Sequence, residues 1–157
     1  MKPATARNAV RVQQLLGPEF TVLEFDESTR SAAEAAAAIG CDVAAIAKSL
    51  VFEAADGSPV LVIASGRNRV DEARVGDCLG QPIRRADADF VRRHTGYPIG
   101  GVAPIGHPTP LPVLLDEQLL ALPEIWAAAG TPNAVFRMTP AQIVALTGGR
   151  PTAIAAT

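Results

Sequence analysis

Ala44-Ala45-Ile46-Ala47-Lys48-Ser49-Leu50-Val51-Phe52, followed by the turn Asp56-Gly57 and the run Pro59-Val60-Leu61-Val62-Ile63-Ala64, is the stretch on which the fold turns. Asp-Gly between two apolar runs is a hairpin signal, because both residues tolerate the positive φ that a tight turn demands. The spacing predicts a short helical turn near Val43–Ala47, a strand over 49–53 and a returning strand over 59–64. Lys48 then falls at a helix-to-strand junction, where a side chain points into a cleft at the edge of a sheet.

Working outward, the chain alternates helix and strand signals. Ala6 to Leu16 reads as a helix stopped by Gly17-Pro18, Phe20 to Phe25 as a strand, and Ser31 to Ile39 as an alanine-rich helix closed by Gly40. Downstream, helices are expected over 71–79, 87–94 and 140–146, and strands over 82–84, 112–116, 125–130, 133–137 and 151–155. Thr139-Pro140 is an N-cap followed by proline at the first helical position. Interspersed elements with clear hairpins favour an α/β (α+β) domain with a mixed sheet over a doubly wound parallel one. The 157 residues fit a single domain, 1–157, with one core.

Composition narrows the function classes. Hydrophobic residues make up 48% and charged residues 19%, which argues against disorder, and the 4% aromatic content predicts a core of small aliphatic side chains. No apolar run reaches the ~18 residues that span a bilayer, and the N-terminus lacks a signal-peptide pattern, so a cytoplasmic location is expected. Cys41 and Cys78 imply no disulfide framework, and with His94 and His107 they show no metal-ligand spacing; no metal or cofactor is expected. A net charge of −2 is at odds with extensive duplex contacts, and a DNA-binding role is not expected. A nucleic-acid partner would be gripped at an end.

Two features stand out chemically. Of the 14 basic residues only Lys2 and Lys48 are lysine, and Lys48 sits in an apolar stretch. An ammonium is a compact point charge and a guanidinium a wide rigid fork, so the position either requires the ammonium or holds a side chain that snorkels from a helix end. The second is Gly96-Tyr97-Pro98-Ile99-Gly100-Gly101-Val102-Ala103-Pro104-Ile105-Gly106-His107. Its glycines permit close backbone approach to a ligand and its prolines stiffen it, yet it matches neither a P-loop nor a dinucleotide fingerprint. A ligand-binding loop and a structural surface loop are both compatible with it. The pairs among Arg67, Arg69, Arg84, Arg85, Arg92 and Arg93 are read as solvated surface, and no nucleophile-elbow pattern occurs.

Ala-Lys-Ser-Leu-Val-Phe at 47–52 and His-Thr-Gly-Tyr-Pro-Ile-Gly-Gly-Val-Ala-Pro-Ile-Gly-His at 94–107 carry a resemblance to the YbaK/EbsC-type family, related to the editing domain inserted in bacterial prolyl-tRNA synthetases. The resemblance runs from about Thr29 to Leu146. It implies a compact, mixed, partly barrel-like sheet surrounded by helices. It also implies a trans-acting hydrolase that cleaves the ester joining a wrongly attached small amino acid (alanine, cysteine, serine or threonine) to tRNA. By that likeness Lys48 matches the family's essential lysine, and Gly100 to Pro104 its Gly-x-x-x-Pro loop, with Gly100 and Gly101 amides facing the developing oxyanion. Pro104, Gly106 and His107 are then expected beside the substrate, and Phe25, Thr29, Ser31, Ile46 and Val135 around its amino-acid side chain. The implied partners are the acceptor end of an aminoacyl-tRNA and a synthetase. The competing reading is a non-catalytic aminoacyl-tRNA or nucleotide-binding module that has kept the pocket.

Overall fold

The hairpin at the centre of the sequence is also the centre of the sheet. In the computed structural model, which describes residues 1–156, β3 (Ile46–Ala54) and β4 (Pro59–Ser65) pair antiparallel from Ala47↔Ser65 to Glu53↔Pro59. Leu61 and Ile63 of β4 enter the main core, whereas Val60 and Val62 enter a second cluster on the opposite face. A strand covered on both faces explains the unbroken apolar run 60–64, since alternating polar residues would be stranded in either core. Each fully buried Leu or Ile contributes ~1.5–3 kcal/mol.

Around this pair the sheet grows in both directions. Towards the N-terminal side lie β7 (Ile125–Ala128), β8 (Ala134–Met138), β2 (Val22–Glu24) and β1 (Lys2–Pro3), and beyond β4 lie β6 (Val113–Asp116) and β9 (Arg150–Thr152). The three-residue β5 (Ile83–Arg85) pairs with the end of β3. β3 with β7, β4 with β6 and β6 with β9 run parallel and the other neighbours antiparallel, so the sheet is mixed. It does not close, because β1 and β9 end the strand order.

Helices α1 (Arg7–Leu16), α2 (Ala32–Ile39), α3 (Glu72–Leu79), α4 (Ala88–Thr95) and α5 (Pro140–Thr147) start where capping chemistry dictates in all but the first. Ser31, Asp71, Asp87 and Thr139 each accept a hydrogen bond from an N–H in the first turn, and Thr139 with Gln142 completes a capping box. α1 lacks a side-chain cap; Glu24 instead takes the N–H groups of Thr5 and Ala6 and the Thr5 hydroxyl, which holds its carboxyl below the ordinary range.

Two local expectations are corrected. β3 begins at Ile46, so Lys48 lies within a strand and not at a helix-to-strand junction; the turn before it is a single 3₁₀ turn at Val43–Ala45. The reason is the parallel pairing of Ile46 with Trp126 and Ala47 with Ala127, a contact 80 residues distant in sequence. β1 was not expected and exists because Lys2 and Pro3 pair with Glu24 and Leu23.

Candidate active site

Strands β7 and β5 flank the same edge of β3 without meeting. β7 pairs with β3 only as far as Ala47, and β5 takes over at Phe52. The opening leads into a cavity of about 890 Å³ whose wall includes β3 from Ile46 to Phe52. One end is apolar, formed by Phe25, Ala32, Ala35, Ile46, Trp126 and Val135. Ile99, Gly100, Val102 and Pro132 form a further part of the wall.

The cavity is electrostatically one-sided. Arg30, Lys48 and Arg85 line it, and among the described residues its lining includes no carboxylate. Lys48 also borders a second cavity of about 360 Å³ together with Arg69, Arg85, Asp71 and Glu72. Among the described residues no cluster of three His, Cys, Asp or Glu side chains is placed to hold a metal ion. Among the described residues no helix is long and apolar enough to cross a membrane.

Lys48 is held from below by a short polar relay. Its Nζ donates to the Asn68 carbonyl at 2.7 Å. The Asn68 side-chain amide donates to Asp116 at 2.8 Å and to Gln118 at 3.0 Å. Asp116 is fully buried and accepts in addition the backbone N–H groups of Ser65 and Gln118. A buried carboxylate with three donors is a fixed anchor, so the Asn68 carbonyl, and with it the lysine, has a defined position. Burial pushes the Lys48 pKa down, the nearby Arg85 charge pushes the same way, and Asp116 opposes both. One of the ammonium's three donors is spent on Asn68, leaving two.

The glycine loop divides into two halves. Gly100 lies on the cavity wall with φ at +84°, the left-handed region that glycine alone enters at no steric cost. Gly101 sits one residue behind the wall, and a Cβ there would lie 2.8 Å from the Cα of Thr131. Its N–H donates to the Pro98 carbonyl at 3.0 Å, so that amide already serves the turn. Pro104, Gly106 and His107, expected beside the substrate, lie outside the lining of this cavity. Pro104 is buried, and the Gly106 carbonyl accepts from Arg11 of α1 at 3.0 Å. His107 Nε2 meets the Ala103 carbonyl at 2.9 Å, and its ring lies edge-on to fully buried Tyr97. It closes the loop on itself. Burial lowers the His107 pKa, as expected for an imidazole that donates while neutral.

Of the other expected residues, Phe25, Thr29, Ser31, Ile46 and Val135 all line the cavity. The Thr29 hydroxyl donates to the Pro132 carbonyl and Ser31 Oγ caps α2, so both also shape the rim.

The same fold occurs in known proteins. Residues 26–146 match the family model described as the aminoacyl-tRNA editing domain. The chain belongs to this family. It is 31% identical over 125 residues to YwhH of Bacillus subtilis, a protein of uncharacterised role, covering 80% of each chain. It is 26% identical over 146 residues to EbsC of Enterococcus faecalis, named as a candidate Cys-tRNA(Pro)/Cys-tRNA(Cys) deacylase, covering 91% of this chain and 89% of that one. A solved structure described as a candidate trans-editing enzyme for prolyl-tRNA synthetase superposes with a TM-score of 0.92 at 45% identity, over 98% of this chain and 100% of that one.

Within this editing domain five participants were not marked by the sequence. Arg85 was grouped with Arg84 as solvated surface, yet Arg84 pairs with Glu53 at 2.9 Å while Arg85 faces the cavity. Alternation along β5 separates the two, a signal available once those residues are placed in a strand. Asn68 and Asp116 reach Lys48 only through the fold. Ser49 Oγ and Trp126 Nε1 are buried without a hydrogen-bond partner beside the cavity, and no local pattern marks either.

Proposed function

We propose that this editing domain is a trans-acting deacylase that hydrolyses the ester between a small amino acid (alanine, cysteine, serine or threonine) and the terminal ribose of tRNA. The observation that carries this reading is a cavity to which the described residues bring three cationic side chains and no carboxylate, beside a small apolar recess. Arg30 and Arg85 suit the phosphates of an acceptor end, and the recess between Phe25, Ile46 and Val135 suits a short side chain while excluding a large one.

Hydrolysis turns a neutral ester carbonyl into a tetrahedral oxyanion, and preorganised donors lower the barrier most where that charge appears. Lys48, with two uncommitted donors, and the Gly100 amide are the groups suited to it. The attacking oxygen comes from water, with or without help from the adjacent ribose hydroxyl. Its bond to the carbonyl carbon forms as the carbonyl π pair moves onto oxygen; when the oxyanion collapses the ester C–O bond breaks, and the ribose oxygen leaves with the proton given up by the attacking water. No protein nucleophile is needed, since an aminoacyl ester is already activated. The names of EbsC and of the similar solved structure support tRNA as substrate and a prolyl-tRNA synthetase as the source of the errors corrected. A chain of net charge −2 has little basic surface for tRNA, and a bound synthetase would supply the missing affinity.

Deacylation of tRNAs charged with alanine, cysteine, serine and threonine, by wild type beside Lys48→Ala and Lys48→Arg, tests this. Selective turnover by wild type, lost in both variants, is expected. A folded wild-type protein with no turnover on any of the four, with or without prolyl-tRNA synthetase, would overturn it.

A further inference from the structure

Between its two flanking partners β3 has an unused backbone edge inside the cavity. β4 covers one side of β3 without interruption from Ala47 to Glu53. On the other side residues 48–51 face no strand, because β7 stops at Ala47 and β5 starts at Phe52. Alternation decides which groups point there. The Ile46 carbonyl accepts from Gly66, and Ala54 N–H donates to Ser58, both on the β4 side, whereas the Val51 carbonyl accepts from Ala86 N–H on the other. Ser49 shares the orientation of Val51, so its N–H and C=O are directed into the gap. Its hydroxyl is also buried without a partner, and Ser49 itself lines the cavity.

Every aminoacyl-tRNA presents an α-amino donor and a carbonyl acceptor on one carbon, the same pair that one strand residue offers its neighbour. None of the described residues that line this cavity is a carboxylate, so what the wall offers that amino group is a neutral acceptor. We propose that the aminoacyl group docks on Ser49 as a one-residue extension of the sheet, resting on the deacylase reading above. The amino group donates to the Ser49 carbonyl, and Ser49 N–H donates to the ester carbonyl oxygen. That N–H then joins the donors at the oxygen where negative charge develops, one residue from Lys48. The ladder geometry turns the amino-acid side chain out of the sheet plane. A free α-amino group becomes a recognition element in its own right.

Two measurements test this. In the first, deacylation of alanyl-tRNA is compared with that of propionyl-tRNA, which lacks the amino group, each rate divided by the spontaneous hydrolysis of its own ester. A loss of about tenfold or more in normalised kcat/KM is expected for the propionyl ester, the effect of one charge-assisted hydrogen bond. In the second, amide exchange is followed by NMR with the hydrolysis-resistant 3′-alanylamino-3′-deoxyadenosine. Ser49 N–H is expected to exchange fast in the free protein, unlike Lys48 and Leu50, and to slow about tenfold or more when the analogue saturates the site. Equal normalised rates, or a Ser49 amide unchanged at saturation, would overturn the ladder contact and leave the deacylase reading in place. Cleavage of neither ester would overturn both.

Discussion

Replacing Gly101 by alanine puts a methyl group against the backbone of Thr131, with Cα at 2.8 Å, C at 2.9 Å and N at 3.0 Å, where ordinary contact begins at 3.4 Å. None of these atoms is the end of a flexible side chain. Thr131 is itself held, its carbonyl accepting from Ala134 N–H and its hydroxyl from Asn133 N–H. The glycine loop must therefore withdraw by roughly half an ångström, and overpacking of this kind costs ~1–3 kcal/mol. At ~2–4 °C per kcal/mol for a chain of this size, the melting midpoint falls by ~2–12 °C. Withdrawal also moves Gly100 off the cavity wall, and a displacement of this order at a reacting centre lowers the rate ~10–100-fold. Gly100→Ala is the informative neighbour. Its Cβ meets Pro132 only at 3.7 Å, but φ at +84° imposes ~1–2 kcal/mol of backbone strain. Thermal unfolding and single-turnover deacylation of both variants, with a crystal structure of Gly101→Ala, complete the comparison. A Gly101→Ala protein that melts with wild type and keeps full activity would refute the close-approach reasoning.

Asp116→Asn replaces one acceptor oxygen by an NH₂ facing a donor, so it is expected to cost ~1.5–3 kcal/mol in urea unfolding and to lower deacylation through the Asn68 carbonyl that fixes Lys48. Unchanged turnover at full occupancy of the fold would disconnect the relay from the site. Because the folded Lys48 pKa lies below that of a free lysine, activity that needs the ammonium is expected to fall with rising pH before free lysines titrate; a profile flat through the lysine range would contradict this. His107 has a lowered folded pKa, so the unfolded chain binds the proton more readily. Its contribution to stability is complete above the ordinary imidazole range and is lost as pH falls through and below it. His107→Asn is expected to flatten that part of the stability–pH curve, measured by chemical unfolding between pH 5 and pH 8 (roughly the range over which imidazoles titrate).

Elements stabilised by neighbours in sequence were the legible ones. The hairpin announced itself through Asp56-Gly57, and helices α2 to α5 through Ser31, Asp71, Asp87 and Thr139, because turns and caps are local chemistry. The start of β3 was not legible, since its first residues are strand only because Trp126 and Ala127 arrive beside them. The site shows the same division. Lys48 and the glycine loop stood out as compositional anomalies, whereas the orientation of Gly106 and His107 depends on Arg11, 95 residues before Gly106. Arg85 differs from Arg84 only in which face of a three-residue strand it occupies.

The interrupted ladder of β3 has a cost outside chemistry. Unsatisfied strand edges recruit other chains, and folded proteins shield them by shortness, charge or cover. This one is four residues long, carries Lys48, and lies inside a cavity whose wall includes Ile99 and Gly100. The loop that shapes the site thus also stands on the same cavity wall as that open edge, where its removal would leave the edge less covered. Variants that shorten residues 98–104 should lose colloidal stability along with function, and selection for solubility alone would tend to preserve the loop.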